Sequence, residues 1–341
     1  MHAKIDATFL FGDLIMKKLL FIFNPKSGKG QLAPDLMEVL NIFASGGYEL
    51  TVHPTQRALD AYETIKDRAC EYDLLVLSGG DGTLNECVRA MMSLDPLQRP
   101  IIGYIPSGTV NDFATSRHIS KKATEAARDI IFGKRFSCDI GGFQDSYFSY
   151  VAAFGAFTDV AYGTPQNLKN LYGNMAYLIE GAKKLTSLKS YHLTVETDQG
   201  STTGDFILGL VTNTTSVGGF HLKTADVSLT DGLCEVILIR ASSGVKNLSH
   251  LLSSIVLQDF SSEHLFYAKS KNIKITFDTP TPWTLDGEYG GEHQTVNICM
   301  HQRALTFMVP EDMEKKNKPQ GPKKQENDLD IRLLPEYNRG T

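Results

Sequence analysis

Leu74-Leu75-Val76-Leu77-Ser78-Gly79-Gly80-Asp81-Gly82-Thr83-Leu84-Asn85 runs from an apolar stretch into a glycine-rich turn and on into helical spacing that lasts to about residue 92. A short apolar run bounded by glycine reads as a buried strand, and a strand followed at once by a helix reads as half of a crossover between parallel strands. Three glycines around one acid carry a conformational-entropy cost that an ordinary turn has no reason to incur. Such a turn brings backbone amides up to something small and anionic, and the helix amino end adds partial positive charge. Asp81 then has two readings. It caps the helix, or it faces a Mg²⁺ that bridges phosphate oxygens, since a bare carboxylate would repel them.

The same grammar recurs on both sides of this stretch. Strands are predicted at 18–23, 48–53, 73–77 and 101–105, with helices at about 32–45, 58–70 and 83–92 between them. That alternation implies a parallel sheet with right-handed crossovers, whose ligands bind beyond the carboxyl ends of the strands. Asn24-Pro25-Lys26-Ser27-Gly28-Lys29-Gly30 lies at one such end. It lacks the Walker A spacing, and taken alone an ordinary βα turn explains it equally well. Pro106-Ser107-Gly108-Thr109-Val110-Asn111-Asp112-Phe113-Ala114 lies at another and reads as a third phosphate or ribose loop, with Thr109 and Asn111 as hydrogen-bond donors. Three polar glycine loops on one sheet edge are far more specific than any one of them.

With 341 residues, 42% of them hydrophobic, the chain is long enough for two domains. A net charge of −5 argues against nucleic acid as a partner. Cys70, Cys87, Cys138, Cys234 and Cys299 are scattered and never spaced as CxxC, so neither a disulfide framework nor a zinc site is indicated, which fits a reducing cytoplasmic location. Histidines such as His53, His118 and His221 show no ligand spacing. Met16-Lys17-Lys18 followed by Leu19 to Phe23 resembles the opening of a signal peptide, but the apolar run is too short and ends in Asn24-Pro25. Nothing approaches the roughly 20 apolar residues of a spanning helix, so membrane contact is expected to be peripheral.

Residues 1–16 read as an N-terminal extension, and the α/β unit as 17–140. Beyond Asp139 the texture changes to β-rich runs at 147–153, 191–197, 205–212, 233–239 and 272–277, separated by turns such as Asp198-Gln199-Gly200 and Asp231-Gly232. These predict an antiparallel sandwich or barrel over 141–303. Two helices are expected there, over 168–186 and about 246–257. The first carries Lys169, Lys183, Lys184 and Lys189 beside its apolar stripe. Packing on the sandwich is its ordinary fate; lying on an anionic bilayer or closing over acyl chains is the functional alternative. Residues 312–341, rich in Lys, Glu, Pro and Gln, read as a disordered tail.

Taken together, Asn24-Pro25-x-Ser27-Gly28, Gly79-Gly80-Asp81-Gly82-Thr83-x-Asn85 and Gly108-Thr109-x-Asn111-Asp112-Phe113-Ala114 resemble the diacylglycerol kinase catalytic-domain family of bacterial soluble lipid kinases, similar to sphingosine and ceramide kinases. The likeness continues through Ala153-Phe154-Gly155 with Phe157, Asp231-Gly232-Leu233 and Leu285-Asp286-Gly287-Glu288, and so covers about 17–310. Two loops depart from the pattern. Thr212-Asn213-Thr214 stands where Gly-Asn-Gly is usual, ahead of Gly218-Gly219, and Thr224-Ala225-Asp226 lacks a proline. Both would border the lipid cleft.

The resemblance implies an α/β ATP-binding domain, then a β-sandwich lipid-binding domain, with a last strand at 304–309 returning to the first. It implies a cytoplasmic ATP- and Mg²⁺-dependent kinase acting on a lipid hydroxyl at the inner membrane face, with a homodimer as one option for its assembly. Carried over position by position, Asn24, Pro25, Lys26, Ser27, Gly28, Thr55, Gly79, Gly80, Asp81, Gly82, Thr83, Leu84, Asn85 and Thr109 would contact nucleotide. Read alone, Asp286-Gly287 is a hairpin turn. The resemblance makes Asp286 and Glu288 the catalytic carboxylates beside Asp81, with Glu288 favoured as the proton acceptor and an exchange of the two roles left open. It also suggests a structural Mg²⁺ held by Asp231 and main-chain oxygens of Ser228 and Leu233, linked to the active site by Asp139. A plain Asp-Gly hairpin tip is the alternative there, with Asp139 a satisfied structural acid at the domain junction. NAD kinase, which shares a Gly-Gly-Asp-Gly-Thr loop and a following β domain, is the nearest rival reading; a non-catalytic lipid carrier is another.

Overall fold

Every residue of Leu74–Gly79 is buried, as a parallel strand covered on both faces requires. That strand belongs to a computed structural model that describes residues 16–109, 111–155, 189–214, 216–217, 220–221, 228–241 and 263–311. Strands β1 (Lys17–Phe23), β2 (Tyr48–Pro54), β3 (Leu74–Gly79) and β4 (Ile101–Pro106) pair in parallel in the order β2-β1-β3-β4. Helices α1 (Leu36–Ser45), α2 (Asp60–Arg68) and α3 (Asp81–Ser93) connect them. Each turns an apolar face to the sheet: Val39 and Phe43 of α1, and Leu84, Val88 and Met91 of α3, are fully buried. α1 starts later than predicted because Pro34 opens a short 3-10 turn at Ala33–Asp35.

The sequence reading has no counterpart of α4 (Asp112–Ser116), α5 (Ala123–Phe132) and β5 (Lys134–Phe143). β5 was hidden because Asp139, Gly141 and Gly142 interrupt its apolar pattern, and each interruption has a tertiary cause. Asp139 is buried and accepts two backbone N–H groups. Gly141 leaves the space that the Phe148 ring fills. The boundary expected at 140 falls inside this strand.

The remaining strands are β6 (Ser146–Phe148), β7 (Val151–Gly155), β8 (Tyr191–Thr197), β9 (Gly200–Thr212), β10 (Ser216–Val217), β11 (Phe220–His221), β12 (Cys234–Arg240), β13 (Leu265–Ser270), β14 (Asn272–Leu285) and β15 (Glu288–Val309). The strand predicted over 147–153 is thus two strands, broken at Ser149-Tyr150. A second core lies in this half, where Phe143, Phe154, Phe277 and the fully buried Trp283 pack ring against ring. The two halves share one sheet, ordered β13-β12-β9-β7-β14-β15-β4-β3-β1-β2. β15 is the join. It pairs antiparallel with β14 and β5, and it meets β4 in parallel at Phe307↔Ile102. The returning segment expected at 304–309 is the end of this single strand.

The helices expected at 168–186 and 246–257, the tail at 312–341, Phe157, Gly218-Gly219 and Thr224-Ala225-Asp226 lie outside the described residues. Among the described residues no helix is long and apolar enough to cross a membrane.

Candidate active site

Parallel strands deliver their following loops to one edge, and here backbone hydrogen bonds lock the loops together. Asn24 N donates to Ser78 O, Ser107 N to Gly79 O and Thr55 N to Phe23 O, each at 2.9 Å. Asn24 to Gly28, Thr55, Gly79 to Asn85 and Ser107 to Thr109 therefore share one mouth. The glycines set its tightness. A Cβ on Gly108 would stand 2.7 Å from Gly80 Cα, and a Cβ on Gly80 would stand 3.7 Å from Ser27 Oγ. Beneath them the hydroxyl of buried Tyr104 lies 3.1 Å from Gly79 O and 3.4 Å from Asn111 Oδ1.

Not every predicted contact residue offers its side chain to a ligand. Leu84 is fully buried in the core, so only its main chain belongs to the loop. Asn111 adopts left-handed backbone (φ 57°) and folds back on its own loop. Its Oδ1 accepts from Gly108 N at 3.0 Å and its Nδ2 donates to Gly108 O at 2.6 Å. Thr109, Pro25 and Lys26 are exposed at the mouth, and Lys26 N donates to Asn24 Oδ1 at 2.9 Å. His53 is occupied elsewhere, 3.2 Å from Asp60 Oδ1.

Asp81 opens α3 at the centre of this mouth. Its Oδ2 accepts from Asn111 N at 3.1 Å, whereas its Oδ1 is buried without a hydrogen-bond partner. Burial, with Asp112 and Asp286 as like-charged neighbours, pushes its carboxyl up to about 7 against the pull of the Asn111 amide. No side chain caps the helix, so the cap reading of Asp81 is not the one realised. An orphaned carboxylate oxygen among other acids fits a divalent cation, which prefers carboxylate oxygen and would relieve the repulsion.

Asp286 and Glu288 lie across from Asp81 on the β14–β15 turn. Both central residues have positive φ, 52° at Asp286 and 86° at Gly287, and Leu285 pairs with Glu288. This is the type I′ hairpin that Asp-Gly favours, so the turn reading and the functional reading describe the same residues. The Asp286 carboxylate is buried and receives five donors. Oδ2 takes Ser149 N (2.7 Å), Ser149 Oγ (2.9 Å) and Asn85 Nδ2 (3.3 Å), and Oδ1 takes Tyr150 N (3.0 Å) and Val151 N (3.1 Å). Burial pushes its carboxyl above the ordinary value, and the amides and hydroxyl oppose that shift. Because every partner donates, the site is built for the ionised form.

Ser149 and Tyr150 were missed by the sequence reading. The break they make between β6 and β7 is what aims two consecutive amides at Asp286. Asn85 ties α3 to the hairpin across the domain junction. Glu288 is exposed, and its Oε1 stands 3.4 Å from where a Cβ on Gly82 would be. One carboxylate is therefore clamped, and the next faces the mouth.

The loop expected to hold a second cation closes on itself. Asp231 Oδ1 accepts from Leu233 N at 3.0 Å, and Thr230 N donates to Ser228 Oγ at 3.4 Å. Asp139 grips it from below, accepting from Gly232 N at 2.6 Å and from Arg303 N at 2.7 Å. Among the described residues no three His, Cys, Asp or Glu side chains gather as a metal cage. The expected ligand set has a single carboxylate with main-chain oxygens and is of a different kind.

Two family models divide the chain between them. The diacylglycerol kinase catalytic domain matches residues 18–143, and the YegS C-terminal NAD kinase beta sandwich-like domain matches 155–309. The diacylglycerol kinase of Bacillus subtilis (strain 168) is 35% identical over 290 residues, covering 84% of this chain and 95% of the relative. The chain belongs to the diacylglycerol kinase family. Another family member, the diacylglycerol kinase of Staphylococcus aureus (strain MRSA252), is 34% identical over 300 residues, covering 87% of this chain and 94% of its own. A solved structure from Bacillus anthracis str. Sterne superposes with a TM-score of 0.77 at 23% identity, covering 90% of this chain and 98% of that one, which supports the two-domain fold. As a member of the diacylglycerol kinase family the chain is a kinase, built from an α/β catalytic domain and a β-sandwich-like domain.

Proposed function

We propose that this kinase transfers the terminal phosphate of ATP to the hydroxyl of diacylglycerol or a closely related lipid at a membrane surface, giving a phosphatidate-like product. One observation carries the reading: an unpartnered carboxylate oxygen of Asp81 sits among three locked glycine loops, with exposed Glu288 beside Gly82. Backbone amides of Asn24 to Gly28 and Gly79 to Thr83 would cradle the phosphates, helped by the amino end of α3. Asp81 would hold Mg²⁺, which neutralises phosphate charge as the new bond forms. Glu288 would accept the proton of the lipid hydroxyl, and Asp286 would keep the hairpin that aims it. Ser228, Asp231 and Leu233 would hold a second, structural Mg²⁺, with Asp139 coupling that loop to β15 and hence to Glu288. No nucleic acid enters this reading.

The test is transfer of radiolabelled γ-phosphate from Mg-ATP to lipids in mixed micelles, with NAD in a parallel tube. Label in diacylglycerol supports the proposal. Label only in NAD assigns the chemistry of NAD kinase, and wild-type protein that labels no lipid overturns it. The loop geometry adds a prediction. Gly108→Ala drives a Cβ into Gly80, so the Kd for nucleotide, read by titration calorimetry, is expected to rise about tenfold or more while the fold survives.

A further inference from the structure

At the sheet edge opposite the mouth, where Arg99 and Pro100 lead into β4, a cavity of about 570 Å³ opens between the two domains. Met92, Pro96, Arg99 and Pro100 line it from the catalytic domain, and Lys271 with the β15 run from Cys299 to Ala304 lines it from the other. Met92, Pro100 and Met300 are buried and give it an apolar floor. Its walls are cationic. Arg99, Lys271 and Arg303 line them together with His301, and among the described residues no carboxylate does.

Arg99 donates from Nε to Leu94 O (3.2 Å), from Nη1 to Ala304 O (3.0 Å) and from Nη2 to Met92 O (3.1 Å) and Leu94 O (3.0 Å). These carbonyls fix the guanidinium across the domain junction without cancelling its charge. Asp95 and Asp139 act on Arg99 and Arg303 from a distance, yet among the described residues none of the three cationic heads forms an ion pair. Arg303 lies in the bulge between His301 and Leu305 with left-handed backbone, φ 51°, a conformation that costs an arginine energy. Burial, then Arg99 and Lys271, lowers the His301 imidazole below its ordinary value, so these groups share one field.

We propose that this cavity binds a phosphate monoester, held by Arg99, Lys271 and Arg303 and touching His301. Three positive charges around one space suit a dianion better than a single carboxylate. The volume is that of a small-molecule site rather than of bare phosphate, and the apolar floor suits an organic group attached to the phosphate. A bound dianion neutralises cations that otherwise repel one another across the junction. It also ties the catalytic domain to the bulge whose Arg303 N–H is held by Asp139. Glycerol phosphate and the head of a phosphatidate share this chemistry. The site is separate from the mouth and stands whether or not the lipid-kinase reading does.

The experiment follows the His301 ring by NMR in the full-length protein, with His301→Gln assigning the resonance. Wild type and Lys271→Gln/Arg303→Gln are titrated with glycerol phosphate and with phosphatidate in mixed micelles, against glycerol and empty micelles. In wild type a phosphate ester should move the resonance saturably and raise the midpoint of its pH titration by about 0.5 or more, because a dianion beside the ring favours the imidazolium. The double variant should raise the Kd about tenfold or more. Both replaced side chains are exposed, so its melting temperature without ligand should match that of wild type. Lys271→Gln alone, with a Kd raised about threefold, decides the matter if the pair does not fold. Tighter binding of phosphatidate assigns the lipid as the source, and binding of glycerol phosphate at least as tight assigns the soluble ester. A His301 resonance that neither ester moves, or a Kd unchanged by the substitutions, overturns the inference.

Discussion

Asp81→Asn should eliminate phosphate transfer and, in the metal-free protein at pH 8, raise the melting temperature. The activity loss is expected to be on the order of 10³-fold or more in kcat, because the charge that holds the cation against the phosphates is gone. The stability gain follows from the raised carboxyl. Its folded value of about 7 lies above the ordinary 3.8, so the folded state binds the proton more readily than the unfolded chain. Stability then falls as pH rises from about 4 to about 7, and above that the full penalty is present. A rise from 3.8 to about 7, at about 1.36 kcal/mol per pH unit, bounds that penalty at about 4 kcal/mol. Asn carries no charge and escapes it. At pH 4 the folded wild type is already protonated there, so the difference between the two proteins should nearly vanish. Adding Mg-ATP should reverse the order at pH 8, since wild type gains binding free energy that the variant lacks. Melting curves at pH 4 and pH 8, with and without Mg-ATP, check all of this. An unchanged melting temperature at pH 8, or equal stabilisation of both proteins by Mg-ATP, would remove Asp81 from its role.

The parts of this site that sequence reveals are those whose chemistry is local. A glycine turn after an apolar run announces itself, and so the three loops and their common edge were legible from Asn24, Gly79 and Gly108 outward. Asp286-Gly287 was legible as a turn because positive φ at both positions is a property of the dipeptide. What stayed hidden depends on distant partners. Asn85 and Asp286 are 201 residues apart in sequence yet in contact, so nothing near Asn85 shows that its amide reaches the hairpin. Asn111 was given to the ligand for the same reason; only the folded loop shows its amide spent on Gly108. Ser149-Tyr150 read as the middle of one strand because nothing local shows that their amides leave the ladder for a carboxylate on the β14–β15 turn.

The division of labour between Asp286 and Glu288, left open by sequence, becomes an experiment in which the two substitutions part company. Glu288→Gln should fold with a wild-type melting temperature, because the side chain is exposed, and should lose about 10²- to 10⁴-fold in kcat with little change in the KM for ATP, as expected for removal of a general base. Asp286→Asn should behave otherwise. Its carboxylate accepts five hydrogen bonds, and an amide nitrogen in place of either oxygen would face donors with a donor. The expected cost is about 2–4 kcal/mol of stability, with activity falling because the hairpin that aims Glu288 loses its anchor. Relaxing the clamp at Ser149→Ala removes one donor from Asp286 without inverting any, so it should fall between the two in stability and keep more activity than either. Thermal melts and steady-state kinetics on the three variants separate the roles. If Glu288→Gln turns over like wild type while Asp286→Asn keeps its melting temperature and loses only kcat, the base is Asp286, and five buried donors on a catalytic carboxylate would then have to release it during the reaction.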